Sequence, residues 1–412
     1  MKRAHWGSQL AFVLAAAGSA VGLGNIWKFP YLAGKNGGGA FILLYILCLF
    51  IVGLPLMLVE ILIGRSAQRN VVGSFRSLKP GSYWYFVGFI GLLAGFLILS
   101  FYSVVAGWSI EFLYQTVAGS YWFEDPSLSE NARNLQVSAV FKTFVGDYHR
   151  PLMWHGVFML LCIFVVACGV REGIEFWSKI LMPTLFGIVL LLIGRVYFLD
   201  GSAAGYSFLF SVDWSAIAKP KAVLDALGQA FFSLSLGMGA MVTYGSYLGH
   251  DRSLPRLALY VVLADSAVAL LAGLAIFPAV FAFGLEPAAG PGLVFETLPV
   301  VFTQMTGGRI FGSLFFASLL IAALTSAISL LEVVVAYFTE EFSIPRIKAT
   351  AILAIIIALV GIPSALCFCK ASPACPLGLA ESTVHLAGKK LVFFDLVDHI
   401  ATNLCLPLGG ML

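Results

Sequence analysis

Acidic side chains within apolar segments are the residues of this chain with the clearest capacity for chemistry. Asp265 lies in the apolar run 259–271, and Glu60 and Glu332 also lie within helix-length apolar segments. An unpaired charge inside a membrane costs about 3 kcal/mol or more, so such acids usually face the interior of a helix bundle. We therefore interpret Asp265 as functional rather than as a carboxylate satisfied near a helix end, and Glu60 and Glu332 as functional or organisational.

Two adjacent hydroxyl side chains, Thr325 and Ser326, lie in a second apolar run. Hydroxyl and carbonyl oxygens are the ligands that a hard cation such as sodium prefers. The alternative is that both hydroxyls bond to carbonyls of their own helix, which is common for mid-membrane Ser and Thr. These two residues alone support both interpretations equally.

A short glycine pattern appears once in each half of the chain, as GSAVGLGN at residues 18–25 and as SLSLGMGA at 233–240. Gly-x-Gly weakens a helix because glycine loses the most conformational freedom on folding. Backbone freed at membrane depth is tolerated only where it is buried in protein or lines a cavity. Two such breaks at corresponding places in two halves predict the binding site of a secondary transporter.

The elements that must position these residues are membrane helices. The chain is 60% hydrophobic and 11% charged, whereas a soluble domain is roughly half apolar and a quarter charged. A net charge of +3 supports no nucleic-acid partner. The spans contain no metal-ligand cluster, nucleophile elbow or His–carboxylate pairing, so the sequence predicts a protein that is not an enzyme.

Ten apolar runs are candidate spans. They cover residues 8–36, 40–64, 83–118, 152–168, 177–198, 223–248, 254–283, 309–338, 347–368 and 392 onward. The last run stops at Leu412, about midway through a membrane, so we expect a truncated tenth span. The N-terminus resembles a cleaved signal peptide, but its apolar pattern continues to Pro30, which favours a first span.

Each half begins with an interrupted run and holds five spans. An odd number of spans per half makes the halves cross the membrane in opposite senses, which is an inverted repeat. We expect residues 1–199 to form the first repeat, 200–222 an extracellular connection and 223–412 the second repeat. The predicted fold is an all-α polytopic membrane protein with discontinuous helices 1 and 6. Short-loop Lys and Arg counts place the N-terminus in the cytoplasm, with the protein in the cell (plasma or inner) membrane.

The segments His5-Trp6, 18–30 (GSAVGLGNIWKFP) and 36–41 (NGGGAF) resemble the neurotransmitter:sodium symporter family, in its bacterial amino-acid branch. The resemblance covers nearly the whole chain, and its first-helix pattern is highly specific. It implies sodium-coupled symport of an amino acid by alternating access, with the lipid bilayer as surroundings, sodium as coupling ion and no cofactor. The family usually has eleven or twelve spans, so an inactive fragment of a symporter is one alternative.

The resemblance also implies two sodium sites. The first would comprise the carbonyl of Ala20, the side chains of Asn25, Ser233 and Asp265, and the substrate carboxylate. The second would comprise the carbonyls of Gly18, Val21 and Ala322 and the hydroxyls of Thr325 and Ser326. An alternative register places Ala264 where Asp265 stands. Chloride-dependent animal members have no acid at that position, so a built-in anion predicts chloride independence.

By the same resemblance, the substrate's main chain would be bound by backbone N–H groups near Leu23 and Gly24 and by the Tyr102 hydroxyl. The implied substrate contacts are Ser19, Ala20, Leu23, Gly24, Ile98, Tyr102, Phe232, Ser233, Ser235, Met238, Ser326 and Leu330, with Ala327 as a further residue of the side-chain pocket. This pocket is nearly all apolar, with the flexible Met238 where shape must adapt. This lining predicts a hydrophobic or aromatic amino acid.

Two gates follow from the same family pattern. The outer gate would pair Lys28 with Asp398 and use Phe232 as the occluding aromatic ring. The inner gate would comprise Arg3, Trp6, Tyr247 and Glu340. Snorkelling to the interface is the alternative for Lys28, and an ordinary positive-inside charge is the alternative for Arg3.

Two other classes of membrane protein also contain unwound backbone within the membrane. A channel also builds filters from unwound backbone, but inverted copies facing each other in one chain favour a transporter. A proton-coupled amino-acid transporter of the same fold is the nearer alternative. Thr325 and Ser326 together with Asn25 favour sodium over protons.

Overall fold

Ten spans, numbered here in chain order, form one bundle in the computed structural model. The structure describes residues 5–122, 129–217, 219–250, 252–285, 290–369, 379, 383–386 and 389–411. Unbroken helices form spans 2 to 5 and 7 to 9, namely Gly39–Ala67, Tyr85–Ala118, His149–Ala167, Val170–Tyr197, Leu254–Ala282, Gly308–Glu341 and Arg346–Leu366. These seven helices are long and apolar enough to cross a membrane.

Spans 1 and 6 are interrupted, whereas span 10 is continuous. Span 1 consists of Gln9–Ala20 and Gly24–Lys35, which meet at an angle of 51°. Span 6 consists of Pro220–Ser233 and Ala240–Gly245. Span 10 runs through Phe393–Asp398, a π-helical turn His399–Cys405 and Leu406–Met411. Helices 1 and 6 are therefore discontinuous, as predicted.

The loops contain helices that the sequence analysis did not predict. They are Val71–Leu78, Glu130–Gly146, Ala203–Phe210, Trp214–Ile217 and Leu293–Gln304. A two-stranded antiparallel hairpin, Thr383–Leu386 with Lys389–Val392, also precedes span 10 and pairs Thr383 with Val392. The spans are helical as predicted, but the expectation of an all-α chain misses this hairpin, because a search for apolar runs does not register short loop elements.

The centre of the bundle is built from spans 3 and 8, which pack along each other. Of their most apolar stretches, 72% and 83% of the residues are buried. Small residues let other spans approach closely, as is usual between membrane helices. A Cβ added to Gly64 of span 2 would lie 1.9 Å from the carbonyl oxygen of Val242 in span 6. The broken spans 1 and 6 are therefore held against long, unbroken neighbours.

Candidate functional site

The break in span 1 follows directly from its glycines. The first helix ends at Ala20, and Val21 is extended, with φ −75° and ψ 99°. The freed N–H of Leu23 donates to the Tyr102 hydroxyl at 3.0 Å. A Cβ at Gly22 would lie 2.5 Å from Ser326 Oγ, so a larger residue here would have to displace a side chain of span 3 or span 8.

The break in span 6 has three residues in the left-handed region. Ser235, Gly237 and Gly239 have φ values of 53°, 75° and 75°. The N–H of Gly237 donates to Glu60 Oε1 at 2.7 Å, so this buried acid of span 2 holds the unwound segment. On its other side, a Cβ at Gly237 would lie 2.4 Å from the carbonyl oxygen of Leu406 in span 10. Glu60 therefore has the organisational role that its apolar surroundings suggested.

Asp265 is fully buried and accepts hydrogen bonds from three other spans. Asn25 Nδ2 donates at 2.7 Å, Ser233 Oγ lies 2.8 and 2.9 Å from the two carboxylate oxygens, and the Tyr45 hydroxyl donates at 3.1 Å. Charge-assisted bonds of this kind offset the cost of burying a carboxylate. The structure thus brings together Asn25, Ser233 and Asp265, the three side chains predicted for the first sodium site. Sequence reasoning missed Tyr45, a hydroxyl in the apolar run of span 2.

The residues predicted for the second sodium site meet where span 8 passes span 1. Ser326 Oγ lies 3.3 Å from the carbonyl oxygens of both Gly18 and Val21. Thr325 Oγ1 donates to Ala322 O and Ile321 O, each at 3.1 Å, so in this arrangement it bonds within its own helix. The predicted carbonyl and hydroxyl oxygens are therefore gathered between two spans.

A serine cluster joins the three spans beside these oxygens. The carbonyl of Ser19 accepts from Ser235 Oγ at 2.8 Å and from Ser326 Oγ at 3.0 Å. The Ser19 hydroxyl pairs with the Ser329 hydroxyl at 2.7 Å. Sequence reasoning did not find Ser329, whose only signal was a hydroxyl three residues beyond Ser326. One turn of span 1 thus contacts both span 6 and span 8.

A small cavity lies between the two breaks. It is lined by Ser19, Ala20, Gly22, Gly24, Ile98, Tyr102, Phe232, Ser233, Ser235, Met238, Ser326 and Leu330. Eleven of these belong to the predicted substrate contacts, with Gly22 in place of Leu23. The lining combines glycines and hydroxyl side chains with apolar side chains, as small-molecule sites do.

At one end of the cavity, Phe232 and Lys28 lie together. The Lys28 ammonium stands 4.6 Å from the centroid of the Phe232 ring, a cation–π contact. Gln229 Nε2 donates to Gly24 O at 2.9 Å, across the same end. In the described part of the chain, no ion pair joins Lys28 to Asp398. Of the predicted outer-gate residues, Lys28 and Phe232 are therefore in contact with each other, and the predicted pairing of Lys28 with Asp398 is not formed among the described residues.

At the opposite end, Trp6 is buried under span 6. Its Nε1 donates to Tyr244 O at 2.9 Å, and its backbone N–H donates to Tyr247 O at 3.1 Å. The Tyr247 hydroxyl donates to Glu332 at 2.6 Å, and Glu332 also forms a buried ion pair with Arg346.

Of the other two predicted inner-gate residues, Glu340 accepts from the backbone N–H of Asn70 at 2.8 Å. Arg3 lies outside the described residues. Among the residues described, no cluster of three or more His, Cys, Asp or Glu side chains could hold a transition metal. The site instead offers oxygen ligands, which suit a hard cation.

Spans 1 and 6 are both broken, and a cavity and a buried acid lie between them. This arrangement is typical of a secondary transporter. The family model for the sodium:neurotransmitter symporter family matches residues 3–143 and 131–402. The chain belongs to this family. It is therefore a sodium-dependent, multi-pass membrane transporter with the five-plus-five inverted-repeat fold, and not an enzyme.

Individual relatives agree with this assignment. An uncharacterized sodium-dependent transporter of Bacillus subtilis (strain 168), YhdH, is 43% identical over 411 residues, which cover 100% of this chain and 86% of the relative. An uncharacterized sodium-dependent transporter of Methanocaldococcus jannaschii, MJ1319, is 32% identical over 422 residues. This alignment covers 100% of this chain and 81% of the relative. Among solved structures, the fold is similar to the crystal structure of MhsT in complex with L-phenylalanine, with a TM-score of 0.88. The two sequences are 47% identical, and the match covers 99% of this chain and 88% of the MhsT chain.

Proposed function

We propose that this protein couples sodium to the uptake of a hydrophobic or aromatic amino acid, without chloride, by alternating access. The observation that carries the proposal is the cavity between the two breaks, with Asp265 and its hydrogen-bond partners beside it. MhsT, to which the chain is similar, was crystallised with L-phenylalanine. In the proposed orientation the N-terminus is cytoplasmic, and the protein lies in the cell membrane.

The mechanism assigns one part of the site to each ligand. Sodium would bind the oxygens of Asn25, Ser233 and Asp265 at the first site, and those around Thr325 and Ser326 at the second. The substrate's carboxylate would complete the first site while the Leu23 and Gly24 backbone and Tyr102 bind its main chain. Because the carboxylate and sodium contact each other, each raises the affinity for the other by the same factor.

The apolar part of the cavity selects the side chain. Ile98, Met238 and Leu330 carry no group that would pair with a charged substrate, and burying an unpaired charge there would be costly. The adaptable Met238 accommodates more than one apolar shape. This lining favours large apolar amino acids over acidic or basic ones.

Chloride independence follows from Asp265. Its carboxylate supplies a fixed negative charge next to the proposed cation, so no mobile anion is needed to neutralise the site. We therefore expect transport to be the same in chloride and in gluconate at constant sodium. Loss of transport in gluconate would refute this part of the proposal.

The experiment is a binding and uptake series with the purified full chain. All twenty amino acids are titrated in sodium and in potassium, and the best ligands are then tested for uptake into proteoliposomes. We expect aromatic and large aliphatic amino acids to bind in sodium alone and to enter only with an inward sodium gradient. Equal affinity in potassium would contradict sodium coupling, and uptake driven by a proton gradient without sodium would favour a proton-coupled transporter.

A further inference from the structure

A pair of hydroxyl groups links span 1 to span 8 beside the predicted ion site. The Ser19 hydroxyl donates to the Ser329 hydroxyl at 2.7 Å, and the Ser329 hydroxyl donates to the carbonyl oxygen of Ser326, also at 2.7 Å. Ser19 is 1% exposed and Ser329 is fully buried. Ser329 is not a predicted ligand of either sodium site, and it is not among the described lining residues of the substrate cavity. The proposed function therefore gives this residue no role.

Ser329 lies one helical turn from the hydroxyls of the second sodium site. Residues three or four positions apart share one face of a helix, so Ser329 lies on the same face of span 8 as Thr325 and Ser326. One turn further along this face, Glu332 accepts from Tyr247 at the end of the bundle near the N-terminus. Ser329 is therefore placed between the predicted ion site and that end of the bundle.

The break in span 1 explains why this turn is bonded to other spans. The last four carbonyl groups of a helix have no partner within that helix. The N–H of Leu23, four residues beyond Ser19, donates to the Tyr102 hydroxyl instead of continuing the helix. The freed carbonyl of Ser19 accepts from the hydroxyls of Ser235 and Ser326. The backbone and the side chain of Ser19 are therefore both bonded to span 8.

The same turn carries the backbone oxygens of the predicted ion site. Ser326 Oγ lies 3.3 Å from the carbonyl oxygens of Gly18 and Val21. A Cβ added to Gly18 would lie 3.1 Å from Thr325 Cβ, so the two spans are in close contact here. Because span 1 supplies the carbonyls and span 8 the hydroxyls, the predicted site is complete only while this turn stays on span 8. A bond between the spans raises the apparent ion affinity by increasing the fraction of molecules in that arrangement.

We propose that Ser329, through its bond to Ser19, is a positioning residue for the second sodium site. It holds the last turn of the helix Gln9–Ala20 on span 8, so that the oxygens of both spans face the same ion. This inference rests on the proposed sodium coupling. It assigns a role in that coupling to a hydroxyl that lies outside the predicted ligand sets of the ion and the substrate.

The test compares two serines of span 8. Ser329→Ala removes the proposed bond, and Ser318→Ala is the matched control, because Ser318 is also buried but donates to Phe315 O within span 8. Purified full-length protein is titrated with sodium chloride in place of potassium chloride, and its melting temperature reports ion binding. No amino acid is added, so the first site lacks the substrate carboxylate and the titration reports chiefly the second site. The sodium midpoint should rise about fivefold in Ser329→Ala, as the loss of one buried hydrogen bond implies, and should stay unchanged in Ser318→Ala.

Ser19→Ala tests the same bond from span 1, which also covers the case in which Ser329→Ala does not fold. It should raise the sodium midpoint by a similar factor. The double variant should raise it no further than either single variant, because both changes delete one shared bond. A purely structural role would instead lower the melting temperature equally in sodium and in potassium and leave the midpoint where it is.

Three results would each overturn the proposal. They are equal midpoints in Ser329→Ala and Ser318→Ala, a lower melting temperature of Ser329→Ala without a midpoint shift, and single-variant shifts that multiply in the double variant. The parent protein distinguishes this inference from the proposed function. A parent that sodium does not stabilise would refute sodium coupling itself, whereas a sodium-stabilised parent with an unaffected Ser329→Ala would refute the positioning role alone.

Discussion

Asp265 is bonded to side chains of three other spans, Asn25 of span 1, Tyr45 of span 2 and Ser233 of span 6. All four groups are buried, so each unmade bond would cost more than it would at a surface. The same carboxylate therefore serves both the packing of the broken spans and, in our proposal, the coordination of sodium. Substitutions of Asp265 separate these two roles, because an effect on sodium coordination changes with the sodium concentration, whereas an effect on packing does not.

Asp265→Asn keeps the shape of the side chain and removes its charge. Charge-assisted interactions are worth about 1.5–3 kcal/mol, so we expect the sodium concentration for half-maximal substrate binding to rise at least about tenfold. Equilibrium binding across a sodium titration measures this. Asp213→Asn is the matched control, since Asp213 is exposed and accepts from Ser215 N. An unchanged sodium midpoint in Asp265→Asn would contradict the site assignment.

Tyr102→Phe removes the hydroxyl that accepts a hydrogen bond from the Leu23 N–H at 3.0 Å. A buried N–H without a partner costs about 1–3 kcal/mol, and the substrate also loses a hydroxyl. We expect substrate affinity to fall about tenfold or more, measured by calorimetry in saturating sodium. Tyr260→Phe is the control, because Tyr260 is 54% exposed on span 7. Equal affinities of the two variants would count against a role for Tyr102.

At the scale of elements, the two breaks depend on glycines that are pressed against neighbouring spans. A Cβ at Gly22 would lie 2.5 Å from Ser326 Oγ and 2.8 Å from the Tyr102 hydroxyl, whereas a Cβ at Gly187 in span 5 would meet nothing within 4 Å. These two glycines therefore distinguish the requirement for a close approach from the general effect of glycine in a helix.

Gly22→Ala is expected to lower substrate affinity at least tenfold, because the added methyl must displace Tyr102 or Ser326. Gly187→Ala is expected to leave affinity unchanged and to raise stability slightly, since alanine is favoured over glycine in a helix by about 1 kcal/mol. Binding titrations and thermal melts of both variants in one detergent test this pair. The idea fails if Gly22→Ala binds like the parent protein.

Some of these elements are predictable from the sequence, and others are not. The breaks were predictable because Gly22 and Gly237 sit in apolar runs where only a functional reason tolerates them. The loop helix Val71–Leu78 was not, because its eight residues carry no span-length apolar signal.

Side-chain geometry was less accessible to sequence reasoning than the breaks were. Ser235 is in the left-handed region, and its hydroxyl donates to Ser19 O, a contact that exists only after spans 1 and 6 meet. Similarly, the position of Lys28 over Phe232 rather than beside Asp398 is decided by tertiary packing. Residue types predicted which groups gather at the site, but their contacts arise from the folded bundle.

At the scale of the whole molecule, the end of the bundle near the N-terminus contains a largely buried ion pair between Arg346 and Glu332. Glu332 is fully buried, while Arg346 is 24% exposed and also donates to Val166 O of span 4. The exposed pair between Arg76 and Glu341 lies on the same side of the molecule. The two pairs allow a matched comparison of buried and exposed charges.

Arg346→Gln leaves Glu332 buried without its cation, which typically costs about 3–5 kcal/mol. Arg76→Gln breaks an exposed pair and should cost at most about 1 kcal/mol. We expect a clearly larger fall in melting temperature for Arg346→Gln, and partial recovery when Glu332→Gln is added. Equal melting temperatures for the two single variants would show that the buried pair does not stabilise this end.

The contact between Gly237 of span 6 and Leu406 of span 10 bears on how the protein is made. The two residues are separated by about 170 positions, so at roughly 5–20 residues per second the ribosome reaches Leu406 about 10–30 s after Gly237. Until then the unwound segment lacks one wall, although Glu60 on its other side has already been synthesised. Translation order therefore makes the synthesis of span 10 the step that completes the packing around Gly237.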